Sequence, residues 1–395
     1  MYKNILLVLS LISLLNAQTA SEFKKEQLSS LNKQKKAFKN FKDKELNSFE
    51  NYKLAQKKAF QDYKNDLEKI WNKPKLSTKK QWVSYSKNMK TMTNVDFENE
   101  VIEIQTIAST PKEAKQKMEV ALARAVVIDT KTAQESDELE KRLQKIPKPK
   151  NIVDDKVKAE PILSTVIFDK KPTKKSVKSY VNKNIVYDRI KVKPSAKLNH
   201  ENIYSVKVKM PKDTMIKRAD IYYKEVKKQA NLQNLPIALV FAIMHSESNF
   251  NPRARSHVPA YGLMQIVPKT AGIDSYVYLY KKKKIVSSTY LYNSTNNIKM
   301  GSAYLHILYY NYLRKIKNPD SKLYCTIAAY NTGAGNIAWA FTKTNNVNRA
   351  APIINTMTPD EVYNKLLNDL KYDEPKKYLK KVIKRMAAYH KLYPE

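Results

Sequence analysis

The sequence is short of the residues that usually mark a site. Of its 395 residues one is cysteine, five are histidine and five are glycine. A single cysteine excludes an intrachain disulfide, and together with so few scattered histidines it excludes a cysteine-rich zinc centre. Cys325 lies in the apolar stretch LYCTIAAY and reads as a small buried residue rather than a nucleophile. All five glycines fall between Gly262 and Gly335, so backbone needing positive φ or close approach is confined to the C-terminal part. Acid is the other shortage. Only 37 Asp and Glu face 73 Lys and Arg, a formal net charge of +36. That excess sets no fold, but it suits polyanionic surroundings: nucleic acid, an anionic membrane face or a carboxylate-bearing cell wall.

The N-terminus narrows these choices. MYKNILLVLSLISLLNAQTA has one early lysine, an apolar core from Ile5 to Leu15 and small residues around Ala17. This is the pattern of a secretory signal peptide, 1–17, with cleavage after Ala17. The core is short for a membrane-spanning helix, and an uncleaved N-terminal anchor is the competing reading. Export to the periplasm removes nucleic acid as a partner. The absence of a cysteine at the cleavage site leads to the expectation of a soluble protein without a lipid anchor.

The expected fold class is α+β. Residues 18–75 form a lysine-rich helix in which Phe38, Phe49, Phe60 and Trp71 recur every eleven residues, as do Phe41, Tyr52 and Tyr63. Eleven residues make about three helical turns, which puts these aromatics on one face. The stripe either packs on its own domain or docks a peripheral membrane or protein partner; packing is the favoured reading. Residues 76–210 mix signals: a strand at 95–105, a helix at 110–127 capped by Thr110, and a half-buried strand in which Tyr204, Val206, Val208 and Met210 alternate with polar residues, mostly lysines. They are read as a small α+β accessory domain. Residues 211–395 are read as mainly helical. A capped helix at 213–231 is expected to carry Ile216, Ala219, Tyr223 and Val226 on one face, and helices are predicted near 236–247, 296–315, 321–330, 360–370 and 375–391.

The chemistry is expected at Glu247. Val240, Ile243, Met244 and Glu247 follow i, i+3, i+4, i+7 spacing, so this carboxyl shares a face with buried apolar residues. Desolvation and the negative end of the helix dipole both favour its protonated form, which suits a general acid. No other acid occurs before Asp274. Glycosidases that use water or a covalent intermediate need a second carboxylate; a lone acid points to a nucleophile supplied by the substrate. His245-Ser246-Glu247 matches the H-x-E of zinc deaminases, but its P-C-x-x-C partner is missing. Neither serine beside Glu247 has a G-x-S-x-G setting. No cofactor or metal is expected.

Four motifs in order then resemble the soluble lytic transglycosylase domain, a lysozyme-like helical fold. They are Glu247-Ser248, Gly262-Leu263-Met264-Gln265, Ala329-Tyr330-Asn331, and Glu374 with Tyr378. The upstream half is similar to the accessory region of the membrane-bound lytic murein transglycosylase C family. The resemblance implies cleavage of the β-1,4 bond between N-acetylmuramic acid and N-acetylglucosamine in peptidoglycan glycan strands. It also implies that Glu247 acts as acid and then as base, and that the C6 hydroxyl of the muramic residue closes a 1,6-anhydro ring. By the same resemblance Ser248, Ser256, Gly262, Met264, Gln265, Tyr330, Asn331 and Tyr378 bind substrate or orient Glu247. The late motif departs from the family in carrying Pro375 after its glutamate. A water-using hydrolase recruiting Asp320 or Asp369, and a non-catalytic wall-binding scaffold, are the alternatives.

The charge generates a first prediction. Binding to purified sacculi falls steeply as sodium chloride is raised from tens of millimolar to several hundred, because exposed charges are screened over a Debye length of about 10 Å at 0.1 M. Pull-down across a salt series checks this, and salt-independent binding would remove the electrostatic contribution.

Overall fold

The computed structural model describes residues 2–256 and 259–394, with side chains from residue 24 onward except 26, 37, 38 and 41–46. The side chains of the segment 1–17, read from the sequence as an export signal, and of Phe38 and Phe41 thus lie outside the described residues. Among the described residues no helix is long and apolar enough to cross a membrane.

The chain divides into two compact units, residues 1–60 with 143–149, and residues 61–142 with 150–395. The first is built on the part of the long helix α1 (Tyr2–Ile70) up to residue 60; among its described residues Tyr52 is buried, and its hydroxyl accepts from Gln56 Nε2 at 3.0 Å. Later members of the aromatic stripe belong to the second unit and are spent on packing. Trp71 Nε1 donates to Met89 O at 2.7 Å and its ring meets Tyr85 edge-on, while Arg142 lies over the Tyr63 ring at 5.6 Å.

The second unit contains a five-stranded antiparallel sheet. Its strands are β1 (Gln81–Tyr85), β2 (Thr91–Asp96), β3 (Val101–Ala108), β4 (Lys191–Pro194) and β5 (Asn202–Lys209), in the order β1-β2-β3-β5-β4. In β5 the predicted alternation holds: Tyr204, Val206 and Val208 turn inward and Lys207 and Lys209 outward. The strand expected over 95–105 is instead a hairpin. Asp96 Oδ1 accepts from Glu98 N and Asn99 N at 3.0 and 2.9 Å, and Glu100 adopts φ 55°. Apolar residues stand on both sides of the turn, Val95 and Phe97 before it and Ile102 and Ile104 after it, and the one-residue change of phase between them is its local trace. Helix α2 (Pro111–Val127) starts where Thr110 accepts from Glu113 N at 3.2 Å. It lays Ala114, Met118, Leu122 and Val126 against Phe97, Ile102, Ile104 and Val206.

Helices dominate from Thr214 onward, as predicted: α3 (Thr214–Gln233), α4 (Ile237–Ser248), α5 (Ser294–His306), α6 (Pro319–Thr332) and α7 (Asp373–Leu392) are the longest there. Together with the sheet they give the expected α+β class. Ile237 to Met244 are all buried, so α4 is apolar around its whole circumference and forms the axis on which α3 and α7 pack. Each of its large side chains contributes about 1.5–3 kcal/mol by leaving water. Two expectations for α3 fail together. Asp213 makes no side-chain cap, and the buried face is Ala219, Tyr222, Val226 and Ala230, while Ile216 is exposed. Asp213 stands at a left-handed φ of 62°, unlike the extended backbone of a capping residue, and Arg218 turns inward at 1% exposure to pair with Glu100 at 3.3 Å and to lie over Phe97 at 5.3 Å. Pro375 stands in the first turn of α7, where a missing N–H costs nothing, and the helix runs unbroken.

A second buried polar group ties the segment after α4 to the short helices before residue 145. Arg253 hydrogen-bonds Gln134 Oε1, approaches Glu140 at 3.8 Å and stacks on Tyr292 at 4.0 Å. Glu140 also receives Gln134 Nε2 at 3.0 Å and lies 3.8 Å from Arg255. Removing one member strands the others in a dry setting. Arg253→Ala is therefore expected to lower unfolding free energy by roughly 3 kcal/mol, read as a drop in urea midpoint with activity per folded molecule largely kept.

Candidate active site

Glu247 occupies the last turn of α4 and is 5% exposed. Burial is the main influence on its carboxyl and pushes the pKa above the usual carboxylate range; Lys79, Tyr378 and Lys80 oppose that, and Glu374 adds to it. Two consecutive left-handed residues, Asn249 (φ 52°) and Phe250 (φ 61°), end the helix and turn the chain sharply away. Phe250 is buried and stacks on Tyr222, which anchors this strained turn.

The helix end is held by cations from far upstream. Lys80 Nζ donates to His245 O at 3.1 Å and to Ser246 O at 3.0 Å, and it also bonds Asn249 Oδ1. A cation there complements the negative end of the helix dipole. Burial, with Arg385 and Lys381 nearby, brings its pKa down to about 7. Lys79 Nζ lies 4.0 Å from Glu247 Oε2 and 3.8 Å from Glu374 Oε1. From α7, Arg385 donates to Ser246 Oγ at 3.0 Å. His245 shares a hydrogen bond with the Tyr389 hydroxyl at 3.1 Å and packs on Phe250.

Main-chain tethers gather the motifs. Ser248 Oγ donates to Leu263 O at 2.7 Å, which joins the end of α4 to the Gly262–Gln265 turn. The Tyr330 hydroxyl donates to Met264 O at 2.8 Å and joins α6 to the same turn. Asn297, fully buried on α5, donates to Tyr261 O and Leu291 O and accepts from Met264 N, each at 2.8 Å. Gly262 has φ 76°, and a Cβ there would sit 2.3 Å from Asn297 Nδ2. Gln265 (φ 49°) donates to Gly262 O at 3.0 Å; its buried Oε1 has no partner among the described residues and is free to accept. Tyr378, buried on α7, lies beside Glu247 near enough to lower its pKa, but its hydroxyl falls outside the geometry of a made hydrogen bond. Tyr330 also feels the Glu247 charge.

Two assigned binding residues are corrected. Ser248 is wholly buried with its hydroxyl committed to Leu263 and Met244, and Met264 is wholly buried with its sulfur against Gly301, where a Cβ would sit 2.3 Å away. Both build the site from behind, out of reach of a sugar. Gly262 likewise shapes the turn. Asn331 is half-buried at the end of α6, and Ser256 Oγ accepts from Ala260 N at 3.1 Å within its own loop, not joined to Glu247 by any of these tethers. Asp320 begins α6 and Asp369 pairs with Lys365 at 2.7 Å; the acid brought toward Glu247 is Glu374. Nothing in the sequence pattern singles out Lys79, Lys80, Asn297 or Arg385. Among the described residues no His, Cys, Asp and Glu cluster is arranged to hold a metal. A cavity of about 370 Å³ bounded by Trp82, Tyr85, Val120 and Arg124 contains none of the site residues.

The turn geometry makes a direct prediction. Gly262→Ala adds a Cβ 2.3 Å from Asn297 Nδ2 and 2.5 Å from Leu291 O at a left-handed φ. It is expected to cost roughly 2–4 kcal/mol of stability, measured by denaturant titration, and to lower activity beyond the fraction unfolded.

Residues 33–221 match the family model described as the N-terminal domain of membrane-bound lytic murein transglycosylase C, and residues 224–353 match the transglycosylase SLT domain. Among curated relatives, the membrane-bound lytic murein transglycosylase C of Serratia proteamaculans is 32% identical over 313 residues, covering 78% of this chain and 82% of that protein. Its namesake in Salmonella arizonae is 32% identical over 312 residues with the same coverage, and that of Sodalis glossinidius is 40% identical over 190 residues, 48% of this chain and 52% of that one. Of solved structures, the 70 kDa soluble lytic transglycosylase of Escherichia coli aligns with a TM-score of 0.35 at 24% identity over 46% of this chain and 26% of that one. The lytic transglycosylase Slt of Pseudomonas aeruginosa gives 0.33 at 22%, over 46% and 30%. With both domains matched in order and relatives aligned over four-fifths of their length, the chain belongs to the membrane-bound lytic murein transglycosylase C family.

Proposed function

We propose that the protein is an exported peptidoglycan lytic transglycosylase that works in the periplasm with Glu247 as its only acid–base group. The observation that carries this reading is the setting of that carboxyl. It is buried, its charged form is disfavoured by desolvation, and a lysine stands 4.0 Å away to receive the charge when it forms. Protonated Glu247 gives its proton to the glycosidic oxygen as the bond from muramic C1 breaks, leaving N-acetylglucosamine as the alcohol. The resulting carboxylate takes the proton of the muramic C6 hydroxyl as that oxygen bonds C1. The 1,6-anhydro ring closes, Glu247 is protonated again and no water is consumed. Tyr378 and the free Gln265 Oε1 offer uncommitted polar groups to the sugar. Tyr330 holds the loop and meets substrate through its ring, and the cationic surface concentrates the protein on the anionic wall.

A hydrolytic outcome has one observation in its favour: Glu374, reached through Lys79, is an acid that could activate water. Against it, Glu374 is largely exposed, and its charge is already engaged by that lysine.

Product analysis decides. Wild type digesting purified peptidoglycan is expected to yield anhydromuropeptides by mass spectrometry, and Glu247→Gln to lower their release by about a hundredfold or more. Activity should decline as pH rises through the raised pKa of Glu247, because the acid step needs its proton. Reducing-end products would favour hydrolysis, and an unaffected Glu247→Gln would remove Glu247 from the mechanism.

A further inference from the structure

Glu247 is answered by a cation that lies outside the segment matching the transglycosylase SLT domain, residues 224–353. Lys79 sits two residues before β1, in the loop that leads into the sheet. Its position is fixed on both sides. Its carbonyl accepts from Asn251 Nδ2 at 3.4 Å, and the next residue, Lys80, is fastened to the His245 and Ser246 carbonyls. The ammonium is thereby delivered to a point 4.0 Å from Glu247 Oε2 and 3.8 Å from Glu374 Oε1.

We infer that Lys79 is an electrostatic positioning residue for the reaction, holding the Glu247 carboxylate during the interval between giving its proton and recovering one. This rests on the acid–base role of Glu247 proposed above. While Glu247 is neutral, Glu374 is the charged partner of Lys79. When Glu247 loses its proton, an uncompensated carboxylate in a buried site is strongly disfavoured, and Lys79 is already within reach to turn from one acid to the other. The remaining groups around Glu247 do not supply this. Lys80 is bonded to three acceptors at the helix end, Tyr378 and Tyr330 are neutral hydroxyls, and Glu374 carries the wrong sign. The N-terminal region is thus a contributor to the reacting site rather than a neighbour of it.

The full chain carrying Lys79→Met and, separately, Lys79→Arg tests this. The kcat/KM of anhydromuropeptide release is measured across pH, alongside urea unfolding to confirm folding. Removing the cation raises the Glu247 pKa, so the alkaline limb in Lys79→Met moves upward by about one pH unit. The maximal rate also falls about tenfold, below the loss typical of a fully enclosed charge-stabilising donor because Lys79 is partly exposed. Lys79→Arg keeps the limb in place. A Lys79→Met profile that coincides with wild type, or one lowered equally at every pH with its limb unmoved, would overturn the inference. The carboxyl carbon of Glu247 followed by 13C NMR gives a reading independent of activity. Its titration midpoint should rise in Lys79→Met, and an unmoved midpoint overturns the inference. Absence of anhydro products from wild type, with the midpoint shifted, would instead sink the proposed reaction and with it the positioning role of Lys79 in that reaction.

Discussion

The arrangement of the second unit depends on one carboxyl group buried at the C-terminal end of an apolar helix. Such a group is disfavoured in its charged form twice, by desolvation and by the helix carbonyls that point at it. Helix α4 contributes no cation of its own to offset this. The compensation comes from residues that are remote in sequence: Lys79 beside the carboxyl, and Lys80 on the carbonyls of His245 and Ser246. Loop-closure entropy grows only with the logarithm of the intervening length, so separation by more than 160 residues is a modest cost. What it yields is a carboxyl whose protonated form is favoured by burial and which has a cation at hand when it ionises.

The other constraint is positional. The proposed acid–base chemistry would tolerate little error in distance, and the Glu247 helix end is registered to its surroundings mainly through backbone. Ser248 to Leu263, Tyr330 to Met264, and Asn297 to three separate main-chain atoms leave the turn at 262–265 no freedom to slide. This explains why glycine is spent here in a chain that has so few. At Gly262 and Gly301 a side chain would collide with Asn297 and Met264, the parts that hold the turn.

How much of this was legible in the sequence depended on whether a signal was local. The apolar run of α4 put Glu247 in buried surroundings, and alternation in 204–210 gave a half-buried strand, because both are carried by neighbouring residues. The hairpin at 96–101 is hard to read because apolar residues continue on both sides of a turn formed by Asp96 and Glu100, and a one-residue change of phase between Phe97 and Ile102 is its local sign. The face of α3 was misread by about one position because a buried arginine, Arg218, replaced the aliphatic residue that periodicity expects. Ser248 and Met264 sat inside the right motif, yet face the framework; a motif records which residues belong to a site and not which way each one points. Lys79 and Lys80 were invisible for a different reason. In a chain with 73 basic residues a Lys-Lys pair carries no local information, and its meaning exists only once the fold brings it to α4.

The same contacts explain why the boundary between the two family matches, at 221–224, falls within one compact unit. The sheet and the helices keep separate hydrophobic cores. Polar contacts help to join them: Arg218 with Glu100, Arg253 with Glu140 and Gln134, Asn249 with Phe97 O, and the two lysines at α4. Buried charge pairs add little net stability, but each has one acceptable geometry, and several at one seam fix it in all directions. A lysine that must stand about 4 Å from one carboxylate and about as far from another needs that kind of seam. The polar junction is thus the structural condition for using a cation from one layer on an acid from the other.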